Sequence, residues 1–166
     1  MQKSKKKSTI VVISVLAVLA IGVAVLAVLN GKNAAAKKQQ LSEEYFVITA
    51  DEMEYKVTAE EYLSLGPREF EANYKKNGKD PETRTYTGVP FAEVLQAKGV
   101  DPAGFGSVVF AAADGYVSPI PIEKALDEEN CFIVFDDGGD GPFRMILAKD
   151  QFSQNWCKLL TDVTLK

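Results

Sequence analysis

Residues Thr9 to Leu29 form 21 consecutive positions without a charge, built almost entirely from Val, Ile, Leu and Ala. At about 1.5 Å per helical residue the run is long enough to cross a hydrocarbon layer roughly 30 Å thick, so it reads as a transmembrane helix. Lys3, Lys5, Lys6 and Lys7 precede it in a basic segment spanning residues 1–8. Such flanking charge favours a cytoplasmic N-terminus and places the bulk of the chain outside the cell membrane as a single-pass, extracytoplasmic domain. A cleaved secretory signal is the competing reading, with Ala34-Ala35-Ala36 as the small-residue cleavage region. The apolar run exceeds the roughly 7–15 residues usual for a signal core, which favours a retained anchor. No Cys follows the run, which argues against a lipoprotein.

Residues 30–40 are polar, with Gly31, an Ala triplet and paired Lys and Gln, and read as a linker. From Leu41 to Lys166 there remain 126 residues, enough for one domain with its own core and too few for two. That stretch holds all 23 acidic residues against 12 basic ones, a formal net charge of −11. Nucleic acid is therefore a poor partner, and solubility is the ordinary role of the acidity. Cys131 and Cys157 are the only cysteines, too few for a disulfide scaffold or a four-cysteine zinc site. The chain has no histidine, which removes Ser-His and Cys-His nucleophile pairs, His-ligated haem and most catalytic zinc sites.

The domain alternates short β-rich runs with short helical ones, which predicts an α+β fold: a mixed β-sheet domain with short helices. Tyr45 to Thr49 and Met53 to Val57 flank Asp51-Glu52 as a strand pair. Thr58 and Glu61 form a capping box for a helix through Leu65, stopped by Gly66-Pro67. Phe70, Ala72 and Tyr74 alternate with polar residues in a half-buried strand, residues 76–81 turn, and Glu82 to Tyr86 returns. Pro90 opens a helix whose apolar face is Phe91, Val94 and Leu95, ended by Gly99. Ser107 to Ala112, Cys131 to Phe135, Phe143 to Leu147 and Leu159 to Leu165 are further strands, with a helix over Pro121 to Leu126 and a helical turn within Asp150 to Asn155.

Three ordered pieces carry a family resemblance: Thr85-Tyr86-Thr87-Gly88-Val89-Pro90-Phe91-Ala92-Glu93-Val94-Leu95, then Ala113-Asp114-Gly115-Tyr116, then Gly141-Pro142-Phe143-Arg144, closed by Trp156-Cys157-Lys158-Leu159-Leu160. In order and spacing this series resembles the molybdopterin-binding domain of sulfite-oxidase-like oxidoreductases, from about Tyr45 to Lys166. The resemblance implies molybdopterin as the cofactor and a cleft lined by Arg84, Tyr86, Asp114, Tyr116, Arg144 and Lys158. The two arginines and the lysine suit phosphate or sulfate-like oxyanions.

In that family a cysteine thiolate holds the molybdenum on the strand before the Gly-Val turn. Here that strand, Arg68 to Lys75, contains no cysteine and offers Asn73 near the expected place. A hydroxyl or amide does not replace a soft thiolate, so no metal ligand is assigned. Cys131 reads as a small core residue, and a disulfide to Cys157 stays open. Asp136 to Gly141 resembles a calcium loop only superficially, since the twelfth position is Leu147 rather than a carboxylate, and it reads better as a hairpin turn.

Two functions follow. One is a membrane-anchored, metal-free ligand-binding or accessory module that meets a small anion or a protein partner. The alternative is a molybdopterin-dependent oxidoreductase with atypical ligation of metal or cofactor. A plain adhesion or scaffold domain is a third class, and it predicts no basic cleft.

Overall fold

The structure is a computed structural model that describes residues 15, 16, 18, 19, 21–23, 31–75, 80–135 and 141–166. Of the apolar run Thr9 to Leu29, residues 15, 16, 18, 19 and 21–23 are helical and exposed, and the rest lie outside the described residues. Among the described residues no helix is long and apolar enough to cross a membrane. The chain divides into two compact units, Met1–Lys37 and Lys38–Lys166.

The segment read as a linker is helical over residues 31–42 (α1), as its Ala, Lys, Gln and Leu content favours. Gln40 belongs to the folded domain: it is buried and donates to the Thr161 carbonyl at 3.1 Å. Beyond it come β1 (Tyr45–Ala50), β2 (Met53–Thr58), α2 (Ala59–Ser64), β3 (Arg68–Tyr74), β4 (Glu82–Pro90) and α3 (Phe91–Ala97). The second half adds β5 (Ser107–Ala112), β6 (Val117–Pro121), α4 (Ile122–Ala125), β7 (Cys131–Phe135), β8 (Phe143–Leu147), a 3-10 turn at Ser153–Asn155 and β9 (Leu160–Leu165). This is the expected α+β class.

Local chemistry explains the element ends. Asp51 and Glu52 both have positive φ, 49° and 65°, the pattern of a type I′ turn, which joins β1 to β2 in a tight antiparallel hairpin. The Thr58 and Glu61 capping box forms as expected, with the Thr58 hydroxyl accepting from the Glu61 amide and the Glu61 carboxylate accepting from the Thr58 amide. β4 runs four residues past Tyr86, to Pro90, because Val89 and Pro90 pair with Ile133 and Phe132 of β7. Pro90 thus ends a strand and caps α3 at once.

A five-stranded sheet has the order β2-β1-β9-β5-β6, and a four-stranded sheet the order β3-β4-β7-β8. The last strand, β9, lies between β1 (parallel) and β5 (antiparallel), so the C-terminal strand completes the centre of its sheet. One face of each sheet meets in a common core, where Phe46 of β1 packs edge-on against Phe143 of β8 at 4.9 Å between centroids. Tyr62 of α2 joins them, 5.4 Å from Phe143, with its hydroxyl donating to the Ile133 carbonyl at 2.9 Å. Burial pushes that phenol up to about 12.

Cys131 and Cys157 are both fully buried, and neither forms a disulfide. Cys131 pairs with Leu147 on one side of β8, and Cys157 bridges Met145 on the other. With β8 between them the two backbones are about two strand spacings apart, roughly 10 Å, beyond the reach of a disulfide. Burial drives the Cys131 thiol upward, which keeps it protonated, in the small core role expected for it.

Candidate functional site

The four-stranded sheet has a second face, and the cross-strand register fixes who shares it. Phe70, Ala72 and Tyr74 of β3 stand opposite Tyr86, Arg84 and Glu82 of β4, while Phe132 and Val134 of β7 stand opposite Ile146 and Arg144 of β8. The sheet curls until the Asn73 amide donates to the Ala148 carbonyl, just past β8, at 3.3 Å. Its concave side is packed with rings: Phe70 stacks on Phe132 at 3.8 Å, and Trp156 meets Tyr86 edge-on at 5.5 Å and Tyr74 at 5.8 Å. Gly88 lies in this packing, and a Cβ there would come within 2.7 Å of the Ile133 carbonyl oxygen and 3.0 Å of both Phe70 and Val134.

Three of the six sequence-predicted residues come together on this face. Arg84 lies over the Tyr74 ring, 3.7 Å from its centroid, and forms an ion pair with Glu82. Burial alone would lower its pKa, but the Glu82 carboxylate and the Tyr86 phenol outweigh that and hold it above the ordinary arginine value. Arg144 is 8 % exposed, and desolvation pulls its guanidinium below the ordinary value while the Tyr86 phenol opposes the shift. Tyr86 thus acts electrostatically on both guanidinium groups. A guanidinium remains charged in proteins, so the concave face carries positive charge inside an aromatic surround.

The other three residues gather around residues 153–159. Asp114 closes the β5–β6 turn by accepting from the Tyr116 amide at 3.0 Å, as an Asp-Gly turn dipeptide should. The Tyr116 hydroxyl donates to the Gln154 carbonyl at 2.6 Å, and the Ser118 hydroxyl to the Asn155 carbonyl at 2.8 Å. Lys158 is exposed, and next to it the Leu159 carbonyl accepts from the Ala113 amide at 2.9 Å. Gly141 approaches the same residue: a Cβ there would lie 2.6 Å from the Leu159 side chain. Trp156, in the middle of this segment, faces Tyr86 and is anchored by its indole N–H donating to the Leu147 carbonyl at 3.2 Å.

The segment 153–159 thus joins the Asp-Gly turn, the Gly-Pro-x-Arg turn and the aromatic face. The sequence motif assigns Trp156 no role of its own. The signal available was that it is the sole tryptophan, set in the terminal motif. Two cavities among the described residues, of about 230 and 510 Å³, lie beside α3, and none of the six residues lines either. Asp136, Asp137 and Asp140 lie outside the described residues, and so does the turn expected there.

The side chains present do not fit a thiolate-held molybdenum. Asn73 is exposed and, by alternation along β3, on the face opposite Phe70 and Tyr74. Both thiols are buried in the core. Among the described residues no three His, Cys, Asp or Glu side chains converge as a metal site.

Neither a protein-family model nor a curated protein matches this sequence. Among solved structures, the sulfane dehydrogenase SoxCD from Paracoccus pantotrophus is similar, with a TM-score of 0.60 and 18 % identity. The match covers 75 % of this chain and 38 % of that one, so the chain spans well under half the length of its structural neighbour. At this identity the likeness establishes shared architecture alone, across three quarters of this chain's length.

Proposed function

We propose that the domain is a metal-free, anion-binding accessory module with the molybdopterin-domain fold of sulfite-oxidase-like enzymes, tethered outside the cell membrane by its N-terminal helix. The observation that carries this reading is the buried Arg144 on the same sheet face as Tyr86 and Arg84, on a strand system that holds the exposed Asn73 near the thiolate position. A guanidinium fork in an aromatic, water-poor surround favours bidentate binding of an oxyanion or a phosphorylated ligand. Lys158, exposed on the adjoining segment, would add a third cation at its rim.

Purified protein should bind a small oxyanion or phosphorylated ligand with an affinity that falls as salt rises. Arg144→Ala should weaken this by roughly 1.5–3 kcal/mol, the range for a hydrogen bond to a charged group, with the far-ultraviolet circular dichroism unchanged. Equal titration curves for wild type and Arg144→Ala would remove the residue from the site.

The tether rests on the uncharged run Thr9 to Leu29 and the lysines before it. Membrane fractions should retain the full chain through alkaline extraction, with added protease reaching the domain from outside. A released form beginning near Lys37 would show a cleaved signal instead.

The second reading, a molybdopterin oxidoreductase with atypical ligation, is supported by the fold shared with a sulfane dehydrogenase. It would place a pterin's anionic groups against Arg144, Arg84 and Lys158. Such a group supplies redox chemistry when bound, and the residues here would only bind and orient it.

A further inference from the structure

The outer edge of the five-stranded sheet carries a self-complementary charge pattern. No strand among the described residues pairs with the far side of β2. In a two-residue type I′ hairpin the residues flanking the turn exchange hydrogen bonds, so Ala50 bonds to Met53 and, by alternation, Ile48 to Tyr55 and Phe46 to Val57. The N–H and C=O groups of Glu54 and Lys56 consequently point away from β1, toward the open edge. The amide of Thr58, next in that series, is taken by Glu61.

Other strand edges are closed to a partner. β6 carries Pro119 and Pro121, which donate nothing. The far edge of β8 bonds to Cys157, and on β3 the Asn73 amide is occupied by Ala148. A second copy of β3 centred on Phe70 would also set Glu69 opposite Glu71. β2 has no proline, and its exposed charges are of opposite sign on either side of Tyr55.

We propose that the chain self-associates through β2, two copies pairing antiparallel about a two-fold axis at Tyr55 to make one continuous sheet. In this register Glu54 of each copy stands opposite Lys56 of the other. Both residues present outward backbone groups, so each such pair exchanges two hydrogen bonds as well as charge. Met53, 56 % exposed, faces the other copy's Val57, and the two Tyr55 rings meet on the core side. Other registers fail on simple grounds. Centring on Glu54 or on Lys56 sets like charges opposite, and a slip of one residue brings outward groups against inward ones and reverses the faces. Lys56 is already held on the outer surface, over the Tyr45 ring at 3.7 Å and 3.5 Å from Glu43. The same charges that reject a foreign like-charged strand therefore complement a second copy of this chain.

The test uses the full chain in detergent micelles, with self-association followed by analytical ultracentrifugation. Wild type should dimerise reversibly. E54K and K56E should each weaken the dimer about tenfold, and the E54K/K56E double variant should recover most of the loss by restoring opposite charges across the axis. A second arm uses Tyr55→Cys with mild oxidation. At a non-hydrogen-bonded antiparallel pair the two Cα atoms are about 4.5 Å apart, within disulfide reach, so a linked dimer should form. Both native thiols are buried and stay out of that reaction. A monomer at every concentration, a dimer indifferent to both single reversals, or a double variant no tighter than the singles would overturn the proposal.

Discussion

Replacing Leu95 with alanine should cost about 2–5 kcal/mol of stability, read from the shift in urea midpoint at constant slope. Leu95 lies on α3 and is 1 % exposed, and its helix neighbours Phe91 and Val94 are fully buried beside it. Phe91 in turn packs edge-on against Phe110 of β5 at 5.1 Å, so this face anchors the helix to the five-stranded sheet. Truncation leaves a cavity that strands on two sheets cannot close by a local shift. A loss within about 0.5 kcal/mol would show that this helix face is not core.

Gly88→Ala is the second large effect, and its cause is crowding rather than lost contact. The new methyl would stand 2.7 Å from a backbone carbonyl oxygen of β7 and 3.0 Å from two packed side chains. The carbonyl belongs to a paired strand and cannot move as a side-chain end could. Overpacking of this kind costs about 1–3 kcal/mol, and the backbone contact puts it toward the upper end. The control is Gly106→Ala, whose Cβ meets nothing nearer than a carbonyl at 4.0 Å and which should stay within about 0.5 kcal/mol of wild type. Equal melting curves for Gly88→Ala and Gly106→Ala would contradict the packing described for the concave face.

Much of the architecture was legible in the sequence because its causes are local. The capping box at Thr58 and Glu61, the period-two alternation of Phe70, Ala72 and Tyr74, and the helical spacing of Phe91, Val94 and Leu95 each depend on residues a few positions apart. β6 was hidden by composition: Pro119 and Pro121 argue against a strand, and only its edge position tolerates them. The extension of β4 to Pro90 was hidden by distance, since its partners Ile133 and Phe132 lie more than forty residues on. The placement of β9 between β1 and β5, and the division into two sheets, are likewise long-range facts with no local mark.

The candidate site divides in the same way. Alternation alone could have placed Tyr86 and Arg84 on one face of β4, yet nothing local shows that Arg144 is buried or that it shares this face from β8. The convergence of the Asp-Gly turn, the Gly-Pro-x-Arg turn and the terminal Lys-containing segment comes from backbone bonds and close packing at Gln154 and Leu159. Those contacts join residues from 18 positions apart (Gly141 and Leu159) to 46 apart (Ala113 and Leu159). Asn73 shows the reverse: sequence position put it near the expected metal ligand, and strand alternation turns it to the opposite face.

The central claim, that this fold works here without molybdenum, is tested most directly by metal and pterin analysis of the full chain purified from its native source. The account predicts molybdenum and pterin far below stoichiometry in protein that still binds an oxyanion. Molybdopterin at one equivalent per chain would contradict it and establish the atypically ligated oxidoreductase instead.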